Sequence, residues 1–294
     1  MNSKKILMTG ATGFLGSNLL KKLLEQGYEI SILKRSTSNT NRIDSVINRV
    51  RCFDMDKESI DYCLSQIKPS TVIHCATDYG RKNTEPSLII EANLILPLKL
   101  LELCSVHNVN CFINTDTYLD KGINYDSLSK KQFKEWLTTY SNDLICINVI
   151  LEHFYGPNDD KTKFVSYVFE QIKNKASGLD FTLGEQKRDF TFIDDVIDAF
   201  LLIILSSKQM QKGKYDFGIG TNQQIKIKDL VMLISKLSNN TATRLNFGAI
   251  PYRKNEIMNS NIDTSKIREL GWKPRYSIEQ GLKAMIEAEF KTAF

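Results

Sequence analysis

The hydrophobic pattern of this chain alternates between two periods. Short, nearly continuous apolar runs at 6–8 and 71–76 are typical of parallel strands that are buried on both faces. Between such runs the apolar residues recur every three or four positions, as on the buried face of a helix; the first set is Leu15, Leu19, Leu20, Leu23 and Leu24. Regular alternation of strand and helix predicts an α/β fold around a parallel sheet.

The alternation of strands and helices is regular only in the first half of the chain. Helical patterns separate further predicted strands at 29–33, 50–53, 110–114 and 144–150. Past Pro157 the alternation becomes irregular, although helices and short strands continue. We therefore expect a doubly wound parallel sheet in residues 1–157 and a smaller C-terminal α/β lobe in residues 158–294, with some exchange of strands and helices between the two.

Three glycines, Gly10, Gly13 and Gly16, follow the first predicted strand and open the first predicted helix. In such a turn the first glycine lets the chain reverse, the second lets the backbone approach a diphosphate, and the third lets the helix pack closely on the sheet. The N–H groups at the start of the helix also favour an anion. The spacing predicts a Rossmann-type domain that binds a dinucleotide, with further contacts from Thr12, Phe14 and Leu15.

The second predicted strand ends at Lys34 and Arg35, where this fold selects its cofactor. An acidic side chain there accepts hydrogen bonds from the ribose hydroxyls of NAD, whereas a cation pairs with the 2′-phosphate of NADP. Because this chain has no acid at the position, we expect NADP(H) rather than NAD(H). The alternative is that both cations face solvent.

Composition excludes several classes of function. The net charge of +5 suits an anionic ligand, but no basic block carries interleaved aromatic residues, so we expect no nucleic-acid binding. The longest apolar run, 199–205, is too short for a membrane span. Six cysteines without a C-x-x-C spacing predict buried free thiols and no metal site. The few residues before the first strand leave no room for a signal peptide, so we expect a cytoplasmic protein.

Several motifs together resemble those of the extended short-chain dehydrogenase/reductase family, which includes the NAD-dependent epimerases and dehydratases of nucleotide sugars. They are the G-x-x-G-x-x-G turn, the Tyr-Gly-Pro at 155–157 and the Arg-Asp-Phe-x-Phe-Ile-x-Asp at 188–195. The resemblance covers nearly the whole chain. It implies that Asp54 binds the adenine amine, that Asn93 supports the tail of the fourth strand, and that further cofactor contacts come from Met55, Cys75, Ala76, Thr77 and Lys130.

The resemblance also implies a catalytic set of Thr115 with a tyrosine and a lysine spaced Y-x-x-x-K. Tyrosine and lysine then share a helix face, so that the phenol exchanges a proton while the ammonium lowers its pKa and holds the nicotinamide ribose. Lys130 matches the lysine, but Tyr125 stands five residues before it and Asp126 stands four. Positions 125 and 130 are about 140° apart on a helix, so they converge only if Tyr125 precedes the first turn or lies in a bulge. We expect Tyr125 to be the proton donor, with Asp126 in its place as the alternative and Tyr118, three residues after Thr115, as a further substitute.

The expected substrate contacts follow from the same resemblance. Arg188 is implied to bind the diphosphate of the substrate, and Arg253 is a candidate second phosphate ligand. An asparagine that commonly meets the sugar nucleotide is replaced here by His153. The remaining expected substrate contacts are Asp78, Thr117, Lys163 and Glu256.

Within the family, the segments 76–80, 114–117, 151–153 and 248–258 look most like those of CDP-abequose and CDP-paratose synthases. These enzymes reduce CDP-4-keto-3,6-dideoxy sugars for surface polysaccharide (O-antigen, lipopolysaccharide) synthesis. The resemblance implies NADPH-dependent reduction of the C4 ketone of a nucleotide sugar, with a CDP-sugar favoured, by a homodimer. The alternatives are a 4-epimerase or a 4,6-dehydratase with tightly held NAD, and a non-catalytic NADP-binding module. Thr117, where dehydratases carry a second acid, weakens the dehydratase hypothesis.

Overall fold

A computed structural model describes residues 4–80 and 85–291 of the chain. The chain forms two compact units, Met1–Leu151 with Ile197–Gly218 and Glu152–Val196 with Ile219–Phe294. No helix in the described ranges is long and apolar enough to cross a membrane. The expected assignment of cofactor binding to residues 1–157 and substrate binding to residues 158–294 stays a prediction.

Strands and helices alternate along the first half of the chain and less regularly along the second. In chain order the strands are β1 Lys5–Thr9, β2 Glu29–Lys34, β3 Arg51–Asp54, β4 Thr71–His74, β5 Cys111–Thr117, β6 Ile145–Leu151, β7 His153–Tyr155, β8 Gly178–Phe181, β9 Lys187–Phe192, β10 Gly213–Ile219, β11 Gln224–Lys226 and β12 Arg244–Phe247. The α-helices are α1 Phe14–Glu25, α2 Ile60–Ile67, α3 Pro86–Ile90, α4 Leu96–Val106, α5 Tyr125–Thr139, α6 Phe164–Lys173, α7 Ile193–Ser207, α8 Ile227–Leu237, α9 Ser265–Glu269 and α10 Ile278–Lys291.

The first unit is built on a seven-stranded sheet with the order β10, β6, β5, β4, β1, β2, β3. The pairings from β3 across to β6 are all parallel. The chain therefore winds outward in both directions from the neighbours β1 and β4, which confirms the doubly wound Rossmann sheet predicted from the sequence. In such a sheet ligands bind beyond the carboxyl ends of the strands, at the point where the winding reverses.

The hydrophobic core of this unit lies between the sheet and helices α2, α4 and α5. Leu7, Leu64 and Leu101 are completely buried there, and the rings of Phe112 and Phe133 lie 6.0 Å apart. This packing joins α5 to the middle of the sheet. The start of α5 is thereby held beside the carboxyl ends of β4 and β5.

The second unit contains a three-stranded sheet and a two-stranded one. In the first, β9 pairs antiparallel with β11 and parallel with β7. In the second, β8 and β12 are parallel. The buried carboxylate of Asp189 on β9 accepts a hydrogen bond from the backbone N–H of Asn222 at 2.6 Å, and this contact fixes the chain that follows β10 against β9.

A buried polar network joins the carboxyl ends of β5 and β6. The side-chain amide of Asn114 donates to Oδ1 of Asn148 at 2.8 Å, and Nδ2 of Asn148 donates to Oδ2 of Asp116 at 2.9 Å. Lys131 completes the network with an ion pair to the same Asp116 oxygen at 3.0 Å. Because each of these four side chains is bonded to another of them, the network is stable in a buried setting and holds the strand end that carries Thr115.

We expect Asn148→Ala to destabilise the protein by about 2 to 3 kcal/mol, because it removes the buried acceptor of the Asn114 amide and one of the two hydrogen bonds to Oδ2 of Asp116, which keeps only Lys131. Urea unfolding measures the change. Asn142→Ala, in the exposed turn before β6, is the matched control and should change the free energy of unfolding by less than about 0.5 kcal/mol. Equal unfolding midpoints for the two variants would contradict the role given to the network.

Candidate active site

The turn between β1 and α1 has room for glycine alone at two of its three glycine positions. Gly10 has a φ of +68°, and a Cβ built on it would lie 2.4 Å from the backbone nitrogen of Ala76. A Cβ on Gly16 would lie 2.2 Å from the carbonyl oxygen of Gly10. Gly13 differs, because it is exposed and a Cβ there would meet only the Gly10 oxygen, at 3.3 Å. Gly10 and Gly16 thus serve the close packing of the turn, while Gly13 leaves its outer surface open.

The start of α1 is suited to an anion. Gly13 caps the helix without offering a side-chain acceptor, and the first turn contains no acidic residue. The N–H groups of a first turn have no partners within the helix, and the helix dipole is positive there. Of the other expected contacts, Thr12 is half-buried, and Phe14 and Leu15 are buried. This end of the sheet therefore fits the diphosphate of a dinucleotide.

The ends of the parallel strands β2 and β3 lie side by side, with Lys34 opposite Asp54 in the strand register. The Ser36 hydroxyl donates to Oδ2 of Asp54 at 2.6 Å, and this hydrogen bond is the largest of the influences that hold the pKa of Asp54 below its usual value. Met55 continues the pairing with an N–H bond to the Lys34 carbonyl at 2.9 Å. Arg35 is exposed beside them. The surface that follows β2 thus carries two cations, and two carboxylates beside it, those of Asp54 and Asp56, accept hydrogen bonds from the hydroxyl and the backbone N–H of Ser36.

The side chain of Asn93 fixes the segment that follows β4 by hydrogen bonds to its backbone. Asn93 lies in a π-helical turn, Glu91–Ile95, between α3 and α4, and its side chain is buried. Its amide oxygen accepts from the backbone N–H of Asp78 at 2.7 Å and from the Thr77 hydroxyl at 3.3 Å, and its Nδ2 donates to the Asp78 carbonyl at 2.8 Å. The extra residue of a π turn is a frequent feature of functional sites, and here it directs an amide at irregular backbone. Cys75 and Ala76, both half-buried, lie in the same segment, between β4 and Asp78.

Thr115 and Lys130 come together at the end of β5. Lys130 is buried, and its ammonium donates to the carbonyl oxygen of Thr115 at 2.9 Å. Burial lowers the pKa of Lys130. The Thr115 hydroxyl donates to the carbonyl oxygen of His74 at 3.1 Å. His74 itself bonds the Thr9 hydroxyl and is kept neutral, because burial lowers its pKa to about 3, so its role is structural.

The structure does not bring Tyr125 together with Lys130, contrary to our expectation. Asn124 caps α5 by accepting from the Ser127 N–H at 2.7 Å, while the Ser127 hydroxyl accepts from the Asn124 N–H at 3.2 Å. This capping box makes Tyr125 the first residue of a regular helix, with no bulge before Lys130. Tyr125 is 54% exposed, whereas Asp126, one turn before Lys130, is 7% exposed. Asp126 therefore lies on the helix face of Lys130, whereas the identity of the proton donor stays a prediction.

The expected substrate residues are divided between the two units. In the first, the Asp78 carboxylate accepts from the Gly80 N–H at 2.8 Å and the Thr117 hydroxyl accepts from the Leu119 N–H at 3.2 Å. Both lie at the carboxyl edge of the sheet that also carries Thr115. Thr117 is held there in addition by Lys131, whose ammonium donates to its carbonyl oxygen.

In the second unit, Arg188 and Glu256 form a largely buried ion pair at 2.6 Å. Arg253, three residues before Glu256, is exposed. The His153 ring packs on Phe190 with centroids 5.1 Å apart. Lys163, just before α6, pairs with the buried Asp159 at 3.1 Å. Arg188 and Glu256 are thus the two expected substrate residues that the fold joins directly.

Sequence reasoning missed the supporting residues. Asp116, Lys131 and Asn148 hold the strand that carries Thr115, and the double lysine at 130–131 was the signal available for them. Glu152 was also missed; its buried carboxylate accepts from the Asp189 N–H at 2.9 Å. Among the described residues no group of three His, Cys, Asp or Glu side chains is arranged to hold a metal ion.

Comparison with known proteins identifies relatives along almost the whole chain. The sequence pattern of the NAD dependent epimerase/dehydratase family matches residues 6–220. A CDP-abequose synthase of Salmonella muenchen is 37% identical over 97% of this chain and 97% of its own length. A CDP-abequose synthase of Salmonella typhimurium is 32% identical over 96% and 97%. Among solved structures, a UDP-glucose 4-epimerase of Thermotoga maritima with UDP-glucose has a TM-score of 0.85 and 26% identity, covering 99% of this chain and 100% of that one.

Gly16→Ala should weaken the binding of reduced dinucleotide by about tenfold or more, because a Cβ at 2.2 Å from the Gly10 oxygen forces the turn and the start of α1 apart. Titration of NADPH, followed by its fluorescence, measures the affinity. Gly122→Ala is the matched control, since a Cβ there meets nothing within 4 Å. Circular dichroism establishes that both variants are folded at the temperature of the titration. Equal affinities would remove this turn from the cofactor site.

Proposed function

This chain belongs to the NAD dependent epimerase/dehydratase family, and we propose that it uses NADPH to reduce the C4 ketone of a nucleotide-linked deoxy sugar of the CDP-4-keto-3,6-dideoxyhexose kind. The observation that carries the proposal is the identity of 30–37% with three CDP-abequose synthases, which extends over most of the chain in each case. Enzymes with that name act on CDP-sugars, and this similarity also supports CDP as the nucleotide.

The cofactor supplies a hydride when it is bound. The glycine turn and the start of α1 suit its diphosphate, and Lys34 with Arg35 suit a 2′-phosphate. Lys130 uses one of its three N–H donors on the Thr115 carbonyl at 2.9 Å, which leaves two for the ribose hydroxyls. Of these residues, Lys34 and Arg35 support NADP(H) over NAD(H), because only NADP carries the 2′-phosphate.

The residues at the end of β5 would orient the ketone. The Thr115 hydroxyl, which bonds the His74 carbonyl at 3.1 Å, would turn to donate to the C4 oxygen and so polarise the ketone. Asp116 is committed to Lys131 and Asn148, and its neighbour is Thr117 and not a second acid. The acid pair that a dehydratase needs to remove water is therefore missing, which favours reduction.

The substrate diphosphate is assigned to Arg188. Its guanidinium donates to Glu256 and to the Lys187 carbonyl at 2.7 Å, so it is rigidly held before any ligand arrives. An arginine presents five donors in a planar fork that matches phosphate oxygens. The exposed Arg253 would add a second cation, and His153 and Lys163 would contribute further contacts in the same unit.

We also propose that the chain forms a homodimer through α3, α4 and α5. Leu88 on α3, Val106 on α4 and Trp136 on α5 are 44%, 70% and 44% exposed. Large apolar side chains exposed on neighbouring helices are typical of surfaces that another protein covers.

The test is the stoichiometry of cofactor use. With a CDP-4-keto-3,6-dideoxyhexose, the purified chain should oxidise one NADPH for each sugar reduced, and the same assay with NADH should be slower by about tenfold. Product formed without loss of NADPH would instead establish an epimerase with retained cofactor. Cofactor binding without any product would establish a non-catalytic module.

A further inference from the structure

The proposed reduction needs a proton donor beside the ketone, and we infer that this donor is the carboxyl group of Asp126 rather than a tyrosine phenol. The inference deepens the proposed function and rests on it. It concerns only residues of the first unit. The reason to look for another donor is the position of Tyr125, whose side chain is 54% exposed at the first position of α5.

The first argument is the helix face. Residues four apart on a helix lie one turn above each other, so Asp126 shares the face of Lys130. Both side chains are buried, and Lys130 contacts the backbone of Thr115 at 2.9 Å. Tyr125 is rotated from Asp126 by about 100° on the same helix. Asp126 is thus the side chain of α5 that lies with the two other expected catalytic residues.

The second argument is orientation. Oδ1 of Asp126 accepts from Nδ2 of Asn93 at 3.1 Å and lies 3.4 Å from the Thr77 hydroxyl, whose single proton is shared between this oxygen and Oδ1 of Asn93 at 3.3 Å. Asn93 is itself fixed by two hydrogen bonds to the backbone of Asp78. In the part of the chain that the structure describes, both hydrogen bonds to this carboxyl group go to Oδ1, which leaves Oδ2 to carry a proton. A donor must be held in one orientation to act in the transition state, and Asn93 is the positioning residue.

The third argument is electrostatic. Three charged groups act on Asp126: Lys130 on its own helix, Asp116 on β5 and Asp78 in the tail of β4. Lys130 and the Thr77 hydrogen bond favour the carboxylate, whereas burial, above all, and the two acids favour the neutral acid. The net effect raises the pKa of Asp126. A raised pKa keeps a carboxyl group protonated nearer to neutral pH, as general acids require.

The chemical step balances with these groups. C4 gains a hydride and its oxygen gains the proton of Asp126, so the C=O double bond becomes a C–OH group. Asp126 is left as a carboxylate and regains a proton from water before the next turnover. Because a carboxyl group is shorter than a phenol, the proton passes directly or through one water molecule.

Asp126→Asn is the isosteric test, since an amide still accepts from Asn93 but has no acidic proton. We expect its kcat to fall by about a hundredfold or more while its affinity for NADPH stays within about twofold. Glu135→Gln, an exposed acid-to-amide change on the same helix, is the matched control and should keep the wild-type rate. Tyr125→Phe separates the two candidate donors. It should keep turnover.

The pH profile distinguishes an acid from a structural residue. Only protonated Asp126 can donate, so kcat/KM of the wild-type chain should fall as the pH rises through the pKa of this group. Asp126→Tyr should retain activity and move that fall to higher pH, because an ordinary phenol has a pKa of about 10.

A readout without turnover tests the same carboxyl group. The pKa of Asp126 is raised in the folded state. The contribution of Asp126 to the free energy of unfolding is therefore complete below its unfolded-state pKa of about 3.9, and it is lost as the pH rises through its folded-state pKa. The amide does not titrate. The free energy of unfolding of Asp126→Asn, relative to wild type, should therefore increase as the pH rises over that interval.

Two results would overturn the inference while leaving the proposed function intact. The first is that Asp126→Asn turns over at the wild-type rate. The second is that Tyr125→Phe loses turnover while the pH profile of Asp126→Tyr is the same as that of the wild-type chain. A wild-type chain that consumes no NADPH with a 4-keto nucleotide sugar would overturn the proposed function and this inference with it.

Discussion

The hydrogen bond from the Lys130 ammonium to the Thr115 carbonyl, at 2.9 Å, is the contact on which the candidate active site depends. It joins a buried helix face to the end of a buried strand, and thereby decides which residues of α5 lie at the carboxyl edge of the sheet. The cap at Asn124 sets where that helix begins. Since helix and strand are both regular, a shift of one residue along the helix would replace Asp126 by another side chain, and a shift along the strand would replace Thr115.

Two consecutive lysines hold three consecutive residues of β5. Lys130 bonds the Thr115 carbonyl, while Lys131 binds the Asp116 carboxylate and the Thr117 carbonyl. Buried ammonium groups are costly unless their hydrogen bonds are satisfied, so each lysine needs these partners. The arrangement fixes the strand end and still leaves donors of Lys130 for a ligand. Structural support and ligand binding are therefore shared between neighbouring positions.

Local signals in the sequence were sufficient for the first strand, the glycine turn and α1, because a buried strand and a tight turn impose their residues directly. Gly10 and Gly16 meet backbone atoms at distances that no side chain tolerates, and this constraint is visible as a spacing. The parallel, doubly wound sheet was expected from the alternation of strands and helices, whereas its strand order comes from the structure. The same reasoning favoured Tyr125 over Asp126 and did not foresee that Asp126 lies on the face of Lys130, because the start of α5 depends on one capping residue and not on periodicity. The contact of Arg188 with Glu256, 68 residues later, had no signal in the spacing.

The central claim is that a carboxyl group stands where a nicotinamide-dependent reductase of this kind needs its proton donor. A crystal structure of the chain with NADP⁺ and a nucleotide sugar bearing a C4 hydroxyl tests it most directly. The account predicts an Asp126 oxygen within hydrogen-bond distance of that hydroxyl, or of one water molecule that also contacts it, opposite the nicotinamide. A Tyr125 hydroxyl in that place, or an Asp126 side chain turned away from the cofactor, would contradict it.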